Sequence, residues 1–170
     1  MKCSPQARSR SLSPRGAVRQ RPGEAGSAAG NLVECAVTEH PHQALIAAAR
    51  AVRAHAHAPY SRFAVGAAVL DEQGRIHAGC NVENAAYPQG WCAETSALAA
   101  MVAAGGKRVL AAVVCGVADA PVTPCGGCRQ RLREFASEDC PVWAVDMTAE
   151  RGRYTLGGLL PHGFGPDHLK

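Results

Sequence analysis

A chain of 170 residues, 47% hydrophobic and 19% charged, has room for one domain with a sizeable core plus an appendage, and one domain is expected. Its net charge of +4 is unevenly placed: residues 1–30 carry six basic side chains against Glu24 alone, leaving 12 basic and 13 acidic ones for the rest. A nearly neutral body argues against an extended polyanion, so no nucleic-acid partner is expected and a small uncharged substrate is favoured. Eight cysteines beside long Ala/Val/Leu runs suit a reducing compartment better than a secreted disulfide scaffold. No apolar run approaches the roughly 20 residues of a membrane span, and a soluble, cytoplasmic protein is expected.

Residues 1–36 are rich in Ser, Arg, Pro, Gly and Ala and lack apolar periodicity. They cannot offset the entropy of ordering, which predicts a disordered basic extension ahead of a domain over 37–170. An Arg- and Ser-rich, acid-poor opening fits an organellar transit peptide; the blander reading is a start codon assigned too far upstream. The missing apolar h-region argues against a signal peptide.

Pro41, preceded by Thr38 and His40, suits a first helical turn. Leu45, Ile46, Ala49, Val52 and Arg53 follow at helical spacing, predicting a helix over 41–57 that Pro59 ends. Phe63 to Leu70 forms a Val/Ala-rich buried strand. The turn Asp71-Glu72-Gln73-Gly74 returns the chain through a second, antiparallel strand over 75–83. A loop over 87–91 leads to a second helix from Cys92 to Ala104, which Gly105-Gly106 stops. Val109 to Val117 is a nearly unbroken apolar strand. A third helix runs from Cys125 to Ala136, then a strand over 142–146, with a fifth placed at Tyr154 to Leu156. The tail holds a short turn at Leu159-Leu160-Pro161 and Phe164-Gly165-Pro166. Helices alternating with buried strands after an opening hairpin imply an α/β fold, a mixed β-sheet with helices on both faces.

Cys92-Ala93-Glu94 and Pro124-Cys125-Gly126-Gly127-Cys128 supply three cysteines with ligand spacing. A structural zinc site closes its tetrahedron with four protein ligands, whereas a catalytic one uses three and keeps a position for water or substrate. Both helices open at a proposed ligand, and helix N-termini favour the thiolate form that binds zinc. Glu94 is too near Cys92 for easy joint ligation and is placed as an acid/base. A redox disulfide at Cys125/Cys128 would leave Cys92 and Glu94 unexplained. A structural site would need a fourth ligand, for which Cys80, Cys115 and the histidines have no matching spacing. Cys80, Cys115 and Cys140 are expected as small apolar residues.

The chain resembles the zinc-dependent cytidine deaminases, in their small homotetrameric three-cysteine form. The likeness runs from about His42 to Leu169. It rests on Pro59-Tyr60-Ser61-Arg62-Phe63-Ala64-Val65-Gly66-Ala67-Ala68, Gly79-Cys80-Asn81-Val82-Glu83-Asn84-Ala85-Ala86-Tyr87, Cys92-Ala93-Glu94, Pro124-Cys125-Gly126-Gly127-Cys128-Arg129-Gln130 and Leu159-Leu160-Pro161 with Phe164. It implies a three-layer cytidine-deaminase-like sandwich and zinc held by Cys92, Cys125 and Cys128. Glu94 would carry protons while zinc-bound hydroxide attacks C4 of cytidine or deoxycytidine, giving uridine or deoxyuridine and ammonia in pyrimidine salvage.

The same resemblance makes Asn81 and Glu83 a ribose-binding pair, and a spacing of two on a strand would point both to one face. It lays Phe63 against the pyrimidine and counts Ala93 with the substrate-binding residues. Tyr87 is placed near the ribose at subunit contacts, and Phe164 in a neighbouring subunit's site, so a homotetramer with shared active sites is implied. One departure stands out: the family places Arg directly after the glutamate to offset the −1 charge of zinc with three thiolates, and here the residue is Thr95. Helix N-termini, N–H groups donating to the sulfurs, or Arg129 would have to compensate. Three other readings remain open at this point: a blasticidin S deaminase, whose type lacks the arrangement at Asn81 to Asn84; a nucleic-acid editing deaminase; and a non-catalytic zinc module.

Overall fold

The computed structural model describes residues 41–169. The expected disordered extension over 1–36, and Thr38 and His40 ahead of the first helix, lie outside the described residues. Pro41, whose ring presets a helical φ, opens α1 (Pro41–Arg53), which buries Leu45, Ile46 and Ala49 on one stripe. The helix stops four residues before the expected end. Ala54, His55 and Ala56 tighten into i→i−3 hydrogen bonds, and His57 N–H then donates to Asn81 O at 3.0 Å. A tertiary bond captures the chain before Pro59 acts.

Five strands follow: β1 (Gly66–Asp71), β2 (Ile76–Cys80), β3 (Val109–Cys115), β4 (Pro141–Val145) and β5 (Glu150–Thr155), in sheet order β2-β1-β3-β4-β5. Only β3 and β4 pair in parallel, and they are the pair joined through α3 (Gly126–Phe135). A helical crossover permits that direction, whereas the four-residue turn after Asp71 imposes antiparallel pairing. The sheet is mixed, as expected. Its first strand begins at Gly66 and not Phe63, because Val65 N–H and Phe63 O bond to the Asn81 side chain and leave the ladder. The fifth strand starts at Glu150, earlier than the expected 154. Its Glu-Arg-Gly-Arg-Tyr-Thr run alternates only between exposed and half-buried positions, so it carries no apolar signal. Leu156 leaves that strand and opens a helical turn, α4 (Leu156–Leu159), capped by Thr155.

Alternation along the strands builds two cores. Ala67, Val69, Ala112 and Val142 pack with Leu98 and Met101 of α2 (Ala93–Ala103), Leu132 of α3 and Leu156 of α4. Ala68, Val113, Cys115, Trp143 and Val145 face α1 on the other side. Helices thus cover both faces of the sheet, giving three layers. Glycine sets how closely the layers approach. A Cβ on Gly66 would lie 2.1 Å from Ala49 O in α1, and one on Gly79 would lie 2.3 Å from Ala97 N in α2. Cys115 and Cys140 are buried and the six described cysteines are free thiols, with Cys80 half-buried.

The hairpin turn is held by a buried carboxylate. Asp71, with no solvent exposure, accepts from Gln73 N–H and Arg75 N–H at 2.9 Å, from Arg75 Nε at 2.7 Å, and meets His77 Nε2 at 2.8 Å. Gly74 completes the turn at φ +76°, where a Cβ would be strained. Burial pushes the Asp71 carboxyl up, but the bonds from His77, Arg75 and Gln73 outweigh it and hold the group well below the usual carboxylate range. A depressed folded-state pKa contributes stability that is present above the unfolded value of about 4 and is lost as pH falls through the folded one. Asp71→Asn is therefore expected to lower the urea midpoint at neutral pH and to flatten its decline in acid. Parallel acid limbs for the two forms would refute this.

Candidate active site

Two helices deliver the sulfurs by their N-termini. Cys92 is the N-cap of α2 and Cys125 the N-cap of α3, both with extended backbone, and Cys128 lies in the first turn of α3. The unpaired N–H groups and the dipole at such ends favour anionic sulfur by about 0.3–1 kcal/mol each. Buried Leu98 and Met101 anchor α2, and buried Leu132 anchors α3. Packing therefore fixes the ligand-bearing ends.

The Cys92 and Cys125 sulfurs stand 3.7 Å apart, and all three sulfurs lie within 4.8 Å of one another. Sulfurs bound tetrahedrally to zinc at about 2.3 Å would be about 3.8 Å apart, so the spacing fits that ion. The charges agree. The hydrogen bond from Cys128, strongest of several influences, pulls the Cys92 thiol down to about 6. The same bond, with burial and the nearby Glu94 carboxyl, pushes Cys128 upward. Three sulfurs in one pocket cannot all ionise against each other; a shared dication removes the conflict.

Glu94, in the first turn of α2, is 5% exposed and sets Oε2 3.3 Å from Cys128 Sγ. Burial pushes its carboxyl above the ordinary range, while the Cys128 contact and the Arg131 charge draw it partly back. The Thr95 hydroxyl lies 3.8 Å from Cys128 Sγ. Arg129 does not face the sulfurs: it donates to Pro124 O at 2.7 Å, Leu159 O at 2.8 Å and Thr123 Oγ1 at 3.0 Å. It clamps the approach to Cys125, and the cation felt by Cys92 and Glu94 is Arg131.

A cleft of about 350 Å³ opens onto this cluster. It is lined by Ser61, Phe63, Val65, Asn81, Glu83, Cys92, Ala93, Glu94, Val114, Val122, Thr123 and Cys125. A larger groove of about 550 Å³ runs along Leu98, Ala99, Val102 and Phe135. That groove touches no sulfur, so the smaller cleft is the site. Asn81 and Glu83 lie just past β2, in a stretch stitched by Val82 to Trp91 and by backbone bonds from Asn81 and Glu83 to His57. The expected strand over 75–83 ends at Cys80, yet both side chains reach the cleft.

Neither side chain is loose. Asn81 Oδ1 accepts from Val65 N–H at 2.8 Å and its Nδ2 donates to Phe63 O at 2.9 Å. Glu83 Oε2 accepts from Tyr60 and Ser61 N–H, and Oε1 from the Ser61 hydroxyl. The Ser61 bond foremost, then the two backbone donors, hold the Glu83 carboxyl low against its partial burial, so it stays an acceptor. Each keeps one or two free hydrogen-bonding positions. Arg62, at φ +57°, turns the chain between Ser61 and Phe63.

Ser61 carries this arrangement, and sequence reasoning assigned it no role although it sits two residues before Phe63. Val65, Val114, Val122 and Thr123 were likewise missed, since nothing in an apolar strand or a Pro-flanked loop marks a cleft wall. Two expected residues lie outside this chain's cleft, Tyr87 in an adjoining hollow that Glu83 also lines. Tyr87 is 77% exposed and packs edge-on to Tyr60, with ring centroids 6.1 Å apart. Phe164, 57% exposed, stacks on His168.

Residues 39–144 match the family model described as the cytidine and deoxycytidylate deaminase zinc-binding region. The chain is 40% identical over 125 residues to a cytidine deaminase of Sporosarcina psychrophila, covering 74% of this chain and 92% of that one. Against a cytidine deaminase of Mycobacterium tuberculosis it is 43% identical over 116 residues, 68% and 84% of the two chains. A crystal structure of cytidine deaminase from Burkholderia pseudomallei superposes with a TM-score of 0.69 at 42% identity, covering 72% of this chain and 98% of that one. Another, from Mycobacterium tuberculosis, gives 0.64 at 39% identity, with 73% and 97% covered.

Purified protein is expected to carry a full equivalent of zinc per chain, and Cys92→Ser, Cys125→Ser or Cys128→Ser each to lose most of it. Elemental analysis after dialysis checks this. Full zinc retention in any of the three would remove that cysteine from the ligand set.

Proposed function

This chain belongs to the cytidine and deoxycytidylate deaminase zinc-binding family, and from that premise we propose that it hydrolyses cytidine and 2′-deoxycytidine to uridine and 2′-deoxyuridine, releasing ammonia, as a pyrimidine-salvage step. The observation that carries this reading is a buried carboxylate, Glu94, touching the three-sulfur cluster at a cleft that Phe63, Asn81 and Glu83 also line. Zinc, when bound, supplies the Lewis acidity that makes a water acidic enough to be deprotonated near neutral pH.

The protein's own residues do the rest. Glu94 takes one proton from the attacking water and gives it to the pyrimidine ring nitrogen N3; it then takes the second proton from the new C4 hydroxyl and gives it to the amine, which leaves as ammonia as the C4–N bond breaks and the C4 carbonyl forms. One carboxylate can serve all three positions if each lies within hydrogen-bond reach. Its burial favours this work, because a carboxyl raised toward neutrality accepts and releases protons with less bias. Phe63 offers a ring face for the base. Asn81 and Glu83, oriented by Ser61 and the 63–65 backbone, offer acceptors and a donor to sugar hydroxyls. The Glu83 charge disfavours a 5′-phosphate, which favours nucleoside over nucleotide.

The working unit in this reading is residues 37–170, and the assembly a homotetramer in which Tyr87 lies near the ribose at a subunit contact and Phe164 reaches a neighbour's site. Their exposure supports that placement, since large aromatic side chains left in water are commonly interface residues. No described helix is long and apolar enough to cross a membrane.

Glu94→Ala is expected to reduce ammonia release from cytidine by about 10²–10⁴-fold or more while zinc content is unchanged. Activity surviving at the parent rate would leave a non-catalytic zinc module as the better account. Ser61→Ala, which frees the Glu83 carboxylate, is expected to raise KM for cytidine with less change in kcat. A panel of cytidine, deoxycytidine and blasticidin S measures the substrate range, and turnover of the antibiotic alone would overturn the nucleoside assignment.

A further inference from the structure

Arg131 lies one helical turn beyond Cys128, on the exposed side of α3. Its position is specific. Side chains on a helix lean toward its N-terminus, and Arg131 leans back over the first turn of α3. There its Nη1 lies 3.0 Å from the point where a Cβ on Gly127 would sit. The absent side chain at Gly127 makes room for the guanidinium. Arg131 lines a small cleft of about 190 Å³ with Trp91, Cys92 and Thr95, so it stands beside Cys92, the N-cap ligand of the other helix. The arginine ion pairs among the described residues use Arg75, Arg133 and Arg151.

A cation over a helix N-terminus is the unfavourable end of the dipole, and here two N-termini meet. Something must offset that cost. The cluster can: zinc with three thiolates carries a formal charge of −1, and Glu94 adjoins it. Thr95, which reaches Cys128 through a hydroxyl, lends no charge, and Arg129 is spent on the carbonyls of Pro124 and Leu159.

The geometry points to Arg131 as the positioning residue that neutralises the three-thiolate zinc centre, acting from α3 through space with Gly127 as the gap that admits it. The inference rests on the reading of Cys92, Cys125 and Cys128 as zinc ligands. It assigns the charge balance of the site to an exposed residue that lies outside the substrate cleft. A charge acting this way needs no fork-shaped hydrogen bonding, so lysine should substitute. A positive side chain arriving from position 95 should substitute too.

The test is zinc affinity of the full-length protein, measured by competition with a chromogenic chelator, for the parent and for Arg131→Leu, Arg131→Lys and Arg131→Leu/Thr95→Arg. Arg131→Leu is expected to bind zinc about 10–100-fold more weakly, the usual scale for a residue behind the ligands. Arg131→Lys should keep most of the affinity and Thr95→Arg should restore it in the leucine background. Parent-like affinity in Arg131→Leu overturns the proposal, as does a lysine variant that loses as much as the leucine one. A parent chain that binds no zinc would overturn the ligand assignment and this proposal with it.

Discussion

The site depends on one convergence: two helix N-termini hold three sulfurs within 4.8 Å of one another, beside a carboxylate that is 5% exposed. Each component is unfavourable alone. Clustered thiolates repel, and a buried carboxylate loses its hydration. The helix ends, with their unpaired N–H groups, and a dication held by Cys92, Cys125 and Cys128 would turn that set of costs into a stable arrangement. The fold is built to keep those ends in place. Leu98 and Met101 tie α2, and Leu132 ties α3, into the same core as β1, β3 and β4, each full burial stabilising by about 1.5–3 kcal/mol.

The substrate side rests on a different device. The stretch from Tyr60 to Val65 has no ladder of its own and is held by the side chains of Asn81 and Glu83. The residues that would meet a sugar therefore also shape the loop that presents Phe63. In the proposed function binding and loop order are coupled: a substitution at Asn81 or Glu83 would remove a sugar contact and loosen the cleft wall together. That arrangement keeps the polar groups preorganised, which limits the entropy lost when substrate enters.

The organisation of charge follows from the same physics. Residues near the sulfurs provide hydrogen bonds and field without adding ligands: Thr95 by its hydroxyl, Arg131 by its charge, and Arg129 by clamping the backbone before Cys125. At the end of β1 and β2 opposite Cys80, Asp71 organises the turn between them through bonds to Gln73, Arg75 and His77. It is a second buried carboxylate with the opposite outcome, held ionised by donors where Glu94 is raised by burial. Donor count decides which way a buried carboxyl goes.

Local chemistry made much of this legible in the sequence. Cys92-Ala93-Glu94 and Cys125-Gly126-Gly127-Cys128 sit at helix starts marked by Pro, Gly and Ala patterning, so the meeting of three sulfurs and a carboxylate could be read from spacing, and helices on both faces of a mixed sheet from the alternation of elements. What spacing could not carry was anything fixed by long-range hydrogen bonds. The end of α1 at Arg53 is set by His57 pairing with Asn81, the start of β1 by the Asn81 amide, and the role of Ser61 by Glu83 across 22 residues. The polar edge strand β5 has no apolar period to announce it. Arg131 shares a cleft with Thr95 and Cys92 only once α2 and α3 lie side by side. Sequence determined which residues can bind, ionise and pack, because those properties belong to each side chain and its near neighbours; tertiary structure decided which of them meet, because meeting depends on where distant segments come to rest.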